Sequence, residues 1–156
     1  MNAPRWLVLT WRLPAASSTP RVATWRSLQR LGAVTLTPGA AVVPFTEDLL
    51  EQLEWIAEEI VQRGGEAYVL PVTDLREADE AEIRRRMRAE RKAEFSELRD
   101  AADRLARSEL DRTRYERELA TLERGLARAI ERDHFVSGAR GGAERAIRQA
   151  GKRREH

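Results

Sequence analysis

Residues 5–34 read RWLVLTWRLPAASSTPRVATWRSLQRLGAV, and the local structure implied by this stretch decides the fold. Trp6 to Leu13 is a run of β-branched, aromatic and aliphatic residues interrupted only by Thr10 and Arg12, which suits a strand with apolar neighbours on both faces. Alternation along a strand puts Leu7, Leu9, Trp11 and Leu13 on one face and Trp6, Val8, Thr10 and Arg12 on the other. After Pro14, the small polar residues Ser17, Ser18 and Thr19 lead into Pro20. Thr19 is predicted to be a helix N-cap and Pro20 the first helical residue, where the missing N–H would have no partner anyway. Val22, Trp25, Leu28 and Leu31 recur at three-residue steps and read as one apolar stripe, with Arg26 and Arg30 one turn apart on the opposite side. Gly32 stands where a C-cap glycine belongs, and a second strand begins at Ala33.

Working outward, Ala33 to Thr37 and Ala40 to Val43 read as two short strands joined by a Pro38-Gly39 turn, a hairpin. Thr46 is predicted to cap the next helix, with Glu47 and Asp48 at its positive end. Leu49, Leu53, Ile56 and Ile60 line one face of that helix, Gly64-Gly65 ends it, and Ala67 to Val72 is a fourth strand. The order strand, helix, strand, strand, helix, strand predicts an α+β fold with a ferredoxin-like split βαβ core, βαββαβ. Two helices cover one face of such a sheet. Trp6 and Val8 point to the other face, which is expected to be covered by a partner subunit or by the C-terminal helices.

From Leu75 to about Arg132 the composition turns to Ala, Glu, Arg and Leu, with no Pro and only Gly125. Phe95, Leu98, Ala102 and Leu105 make one helical stripe, and Tyr115, Leu119, Leu122, Leu126 and Ile130 make another. The stripes lose register between Arg107 and Arg114, which reads as an antiparallel hairpin turning near Ser108 to Thr113; one long interrupted helix fits nearly as well. Ser137-Gly138 and Gly141-Gly142 read as breaks, and Ala143 to Ala150 as a last short helix. The expected organisation is a ferredoxin-like domain over 1–75, a helical extension over 76–150 and a frayed basic tail over 151–156.

The 156 residues suit one domain, or one small domain with an appendage. Three of the four Trp fall within the first 25 residues, so the core is expected N-terminal and the charged excess C-terminal. Cys is absent, which excludes disulfides, thiol catalysis, zinc–thiolate sites and thiol redox sensing together. Apolar runs stay far below the roughly 18 residues of a membrane helix, and Arg12 interrupts the only early one. A cytoplasmic, soluble protein without membrane association is the expectation.

The net charge of +2 conceals a strong pattern. Residues 1–46 hold five arginines (5, 12, 21, 26 and 30) and no acid, whereas residues 47–59 hold six acids and no base. Residues 140–156 carry six bases against Glu144 and Glu155. An acid-free stretch of that length is compatible with a nucleic-acid surface as well as with an ordinary solvated face. Arg12, Arg21, Arg26 and Arg30 are the candidate DNA- or anion-binding residues, because guanidinium forks match phosphates and tetrahedral oxyanions. A second cluster, Arg84-Arg85-Arg86, Arg88, Arg91 and Lys92, is interleaved with Glu80, Glu82, Glu90 and Glu94, a pattern that favours pairing along a wet helix.

Catalysis finds little support. A triad needs nucleophile, base and orienting acid together, and His134 and His156 are the only histidines, with no nucleophile signature around either. No His, Asp and Glu spacing of the usual metal-binding kinds occurs, and no glycine loop cradles a phosphate. CRISPR-associated small nucleases share this strand–helix order but need an acid at the end of the first strand, where this chain has Thr10 and Arg12. No enzyme, resident cofactor or metal is expected.

The segments WLVLTWRLP, RVATWRSLQRLGAVTLTPGAAVVP, GGEAYVL, the charged helix ending in EFSEL, and RDHF together resemble the N-terminal domain of the ChrB chromate-resistance regulators. The block from Trp25 to Val34 is the most specific part, and the resemblance covers most of residues 5–135 in family order. It implies a chromate-responsive transcriptional regulator that binds promoter DNA, with α-helical Arg21, Arg26 and Arg30 as the best-placed basic surface and chromate or another oxyanion as effector. Longer members carry a further C-terminal domain. The split βαβ order is also similar to the middle domain of PaaX-type repressors, mainly a dimerisation unit. Two functions therefore stand side by side: a DNA-binding regulator, and a homodimerisation or protein-interaction module that neither senses nor binds DNA itself.

Overall fold

The computed structural model describes residues 2–14 and 18–155, so Ser17 of the polar link and His156 lie outside the described residues. The protein is α+β, with a four-stranded antiparallel sheet and five helices among those residues. It divides into two compact units, residues 1–84 and 85–156.

The first unit begins with β1 (Trp6–Arg12) and α1 (Thr19–Arg30). Strands β2 (Val34–Thr37) and β3 (Ala40–Pro44) form the hairpin, with a register shift between Thr35 and Thr37. Helix α2 (Glu47–Gln62) and β4 (Glu66–Val72) complete the sheet, whose order is β2-β3-β1-β4 with every neighbour antiparallel. Leu7 and Leu9 of β1 join Ala41 and Val43 of β3 beneath Leu28 of α1, its C-cap Leu31, and Leu53, Ile56 and Ile60 of α2, forming the main core. The Thr46 hydroxyl caps α2 by accepting from the Leu49 N–H at 3.0 Å.

Two local expectations for α1 are corrected. Thr19 is the first helical residue rather than the cap; Ser18 holds the cap position and makes no side-chain capping bond. The C-terminus is as expected: Gly32 has φ 71°, and Gly32 and Ala33 N–H groups bond to the carbonyls of Gln29 and Leu28, a left-handed closure that favours glycine. The apolar stripe is the second correction. Thr24, Leu28 and Leu31 are buried, while Val22 and Trp25 are 44% and 55% exposed. Three-residue steps lag a 3.6-residue turn by about 60° each, so a series from 22 to 31 spreads over roughly half the helix circumference.

On the opposite sheet face Trp6 is 1% exposed, and Val34 and Val42 are buried beside it. The first turns of the third helix, α3 (Glu77–Ala106), close that end within the first unit. The Arg84 guanidinium lies 5.6 Å from the centroid of the Trp6 ring. Arg5 reaches Glu80 at 2.9 Å, and Glu80 also takes Arg84 at 2.8 Å. At the other end, Tyr68 and Leu70 of β4 remain exposed.

The second unit contains the rest of α3, α4 (Arg112–Glu131) and α5 (Arg140–Arg153). Of the two sequence alternatives, the hairpin is the one found: α3 stops at Ala106, Asp111 caps α4 by accepting from the Arg114 N–H at 3.0 Å, and Leu105 meets Tyr115 as Glu94 meets Arg132, the antiparallel order. Ala102, Leu105, Tyr115, Leu119, Ile147 and Ala150 form its principal core, and the Tyr115 hydroxyl donates to the Ala150 carbonyl at 2.8 Å. Gly141-Gly142 is not a break but part of the first turn of α5, where backbone N–H groups have no intrahelical partner whatever the residue. The break sits earlier, at Gly138, whose φ is 84°.

Candidate nucleic-acid interface

Residues of β1, α1 and the β2–β3 turn line an open groove of about 470 Å³. Trp11 and Trp25 line it together with Arg12, Arg21, Pro38 and Gly39. The groove follows from the local sequence. The chain leaves the sheet at Arg12, and α1 crosses back over it with Arg21 and Trp25 one turn apart on the flank facing that strand end. Gly39 lets the hairpin turn approach β1 closely, its carbonyl accepting from the Trp11 N–H at 2.9 Å. Arg12 is exposed and ion-paired with Glu66 across the strands at 3.2 Å. Arg21 is exposed and has no ion pair among the described residues.

The four candidate arginines thus separate into two pairs. Arg12 and Arg21 share the groove. Arg26 and Arg30 lie roughly 140° and 180° around α1 from Arg21, on the outermost side of the helix. Arg30 donates to the Ser27 hydroxyl at 3.0 Å. Trp6 is buried under Arg84, whereas Val8 is half-buried, paired in register with Val42 and Leu70.

Sequence reasoning missed a charged cluster inside the second unit. Arg91, read as part of a wet helix face, is 7% exposed. Its Nε lies 3.2 Å from Glu94 as an ion pair without a hydrogen bond, and the same carboxylate accepts from Arg132 Nε at 3.1 Å and from the second Arg132 nitrogen. Burial pulls the Arg91 guanidinium down from its usual range, partly offset by the Glu90 and Asp133 charges. Burial, with the Arg91 charge beside it, does the same to Arg132. One carboxylate between two guanidinium groups serves as a structural clamp. Among the described residues no group of three or more His, Cys, Asp or Glu is placed to hold a metal ion, and no helix is long and apolar enough to cross a membrane. His134 is half-buried just beyond the end of α4.

The class the fold and site define is an antiparallel α+β unit bearing an arginine–tryptophan groove, followed by a helical unit with an internal charge clamp. The chain belongs to the ChrB family: residues 21–155 match the family model for the N-terminal part of Protein ChrB. That match includes Arg21, Arg26 and Arg30, and begins beyond Arg12. The chain is also similar to Protein ChrB of Cupriavidus metallidurans (strain CH34), with 34% identity over 79 residues, 51% of this chain and 24% of that protein's length. No solved structure matches the chain.

Proposed function

We propose that this chain is the DNA-contacting part of a chromate-resistance-type transcriptional regulator, which holds promoter phosphates through the basic surface of β1 and α1 and responds to chromate or another oxyanion. Family membership supports the regulatory reading. The observation that carries the DNA contact is that Arg12 and Arg21 both line one groove together with Trp11 and Trp25, in a 46-residue segment without a single acid. Guanidinium forks bind phosphate oxygens in two-point fashion, and the indoles offer apolar walls to a sugar or base. The strand order β2-β3-β1-β4 supports a ferredoxin-like split βαβ for the first unit. The role is non-enzymatic and cytoplasmic, without a resident cofactor or membrane contact.

The experiment is binding of the full chain to its own upstream DNA across a salt series, with and without chromate. Sequence-preferring binding that weakens steeply with salt and is released by chromate is the expected result. Binding indifferent to chromate removes the effector from the proposal, and absence of binding at low salt overturns the regulator. A second reading, self-association, is favoured by the outward helix faces.

A further inference from the structure

We propose that the outward faces of α1 and α2 are the self-association surface of a homodimer, in which the basic α1 of one copy lies over the acidic α2 of the other. Both helices pack on the same sheet face through Leu28, Leu31, Leu53 and Ile60, so their outer sides form one continuous layer. The two halves of that layer carry opposite charge. Helix α1 contains Arg21, Arg26 and Arg30 and no acid; α2 contains six acids and no base. Arg26, Glu51, Glu54 and Glu58 make no ion pair among the described residues. Helical geometry puts Glu51, Glu54 and Glu58 opposite the buried Leu53–Ile60 side, as it puts Arg26 and Arg30 opposite Leu28.

Apolar anchors stand among these charges. Trp55, on the outer side of α2, is 62% exposed, and Val22 lies beside Arg26 on α1. A tryptophan surrounded by complementary charge is the composition of an interface centre with a polar rim.

The charge layout selects the occupant. A polyanion such as DNA would be repelled by α2, and a basic protein by α1. A second copy satisfies both halves at once, because a patch with one sign on each side is self-complementary about a two-fold axis. That axis has to run parallel to the helices and between them: an axis across them would set α1 over α1 and α2 over α2. The sheet face holding Trp6 is closed at that end by the start of α3, and its exposed Tyr68 and Leu70 carry no charge pattern to match α1 or α2. The groove with Arg12, Arg21 and Trp25 lies on the other flank of α1, so the same copy can dimerise and bind DNA.

The test is light scattering on the full chain, without DNA, at about 0.05 M and about 0.5 M salt, since added salt screens the rim charges. The wild-type chain is expected to be dimeric at low salt, with an apparent Kd about tenfold weaker at high salt. Two reversed chains, Arg26→Glu with Arg30→Glu, and Glu51→Arg with Glu54→Arg and Glu58→Arg, should each be monomeric while keeping the wild-type circular dichroism. Mixed together they should form a one-to-one heterodimer, because each then supplies the sign that the other has lost. Trp55→Ser should weaken the wild-type dimer at both salt concentrations. A monomeric wild-type chain overturns the proposal, as do reversed chains that stay dimeric alone or a mixture that fails to associate. None of these outcomes depends on DNA, so they are separable from failure of the regulator reading.

Discussion

The Arg84 guanidinium stacks over the Trp6 ring at 5.6 Å from its centroid, and this contact closes one end of the sheet face opposite α1 and α2. Trp6 has 1% exposure, and Arg84 contributes a cation and its aliphatic stem to that cover. Replacing Arg84 with Ala should lower the unfolding free energy by about 1 kcal/mol through lost cation–π and stem contact. Trp6→Ala should cost about 3–5 kcal/mol as a core truncation. In a double-mutant cycle followed by urea unfolding, the two changes should be sub-additive, because Arg84→Ala has nothing to uncover once the indole is gone.

The neighbouring carboxylate makes the same region acid-sensitive. Hydrogen bonding from Arg84, with further support from Arg5, holds the Glu80 carboxyl below its ordinary 4.5. A folded-state value below the unfolded one contributes stability that is complete above 4.5 and is lost as pH falls through the lower folded value. Thermal unfolding of the wild-type chain should therefore be insensitive to this group near neutrality and fall in acid. Glu80→Gln should lower the melting temperature at pH 7 and flatten the acid limb, converging on wild type once the pH has fallen below the folded-state value.

What the sequence made legible, and what it hid, follows from how each signal arises. The strands and α2 were readable because Leu7 and Leu9, and Leu49, Leu53, Ile56 and Ile60, repeat at the period of the element that buries them. The face of α1 was misassigned because apolar type stood in for burial: Trp25 and Val22 are apolar and exposed, while Thr24 is polar and buried. The four arginines were identified by type, but their division into a groove pair and an outer pair needed the helix rotation that Thr24 sets. The clamp at Arg91 did leave a trace. Met87, Arg91, Phe95, Leu98 and Ala102 step by 4, 4, 3 and 4, so Arg91 occupies an apolar-stripe position. Its interleaved glutamates concealed that, because the same residues also read as surface pairs.

Glu94 is the carboxylate shared by Arg91 and Arg132, and its removal leaves a buried and a half-buried cation beside each other, with Glu90 still 3.8 Å from Arg91. Glu94→Ala should destabilise the second unit by about 3 kcal/mol, the scale of breaking one side of a buried ion pair. Glu94→Asp should not restore it, since the shorter arm cannot reach both guanidinium groups. Replacing both arginines as well, with Met at 91 and Met at 132, should recover much of the loss, because an apolar set of similar volume removes the unpaired charges. Chemical unfolding monitored by circular dichroism reads all three. Equal stability of Glu94→Ala and wild type would show that the clamp carries no net weight.

The proposed phosphate contact through the groove makes a quantitative demand on the salt dependence of DNA binding. Arg21 is not ion-paired among the described residues, so its full charge is available to displace a counterion. Arg21→Ala should reduce the slope of log K against log salt by about 0.9 and weaken binding uniformly across DNA sequences. Arg12 differs, because Glu66 stands 3.2 Å from it and must give it up before it meets a phosphate. Arg12→Ala should therefore cost less affinity than Arg21→Ala, and Glu66→Gln should strengthen binding by releasing Arg12. Trp25→Ala should weaken binding while leaving the slope unchanged, since an indole displaces no counterion. The geometry also fixes a negative control: Gly39→Val places its Cβ within 2.6 Å of the Trp11 carbonyl oxygen and should disturb the groove without altering any charge. If Arg12→Ala and Arg21→Ala lower affinity and slope equally, the Glu66 pairing does not persist in solution; if neither changes the slope, the phosphates are held elsewhere on the chain.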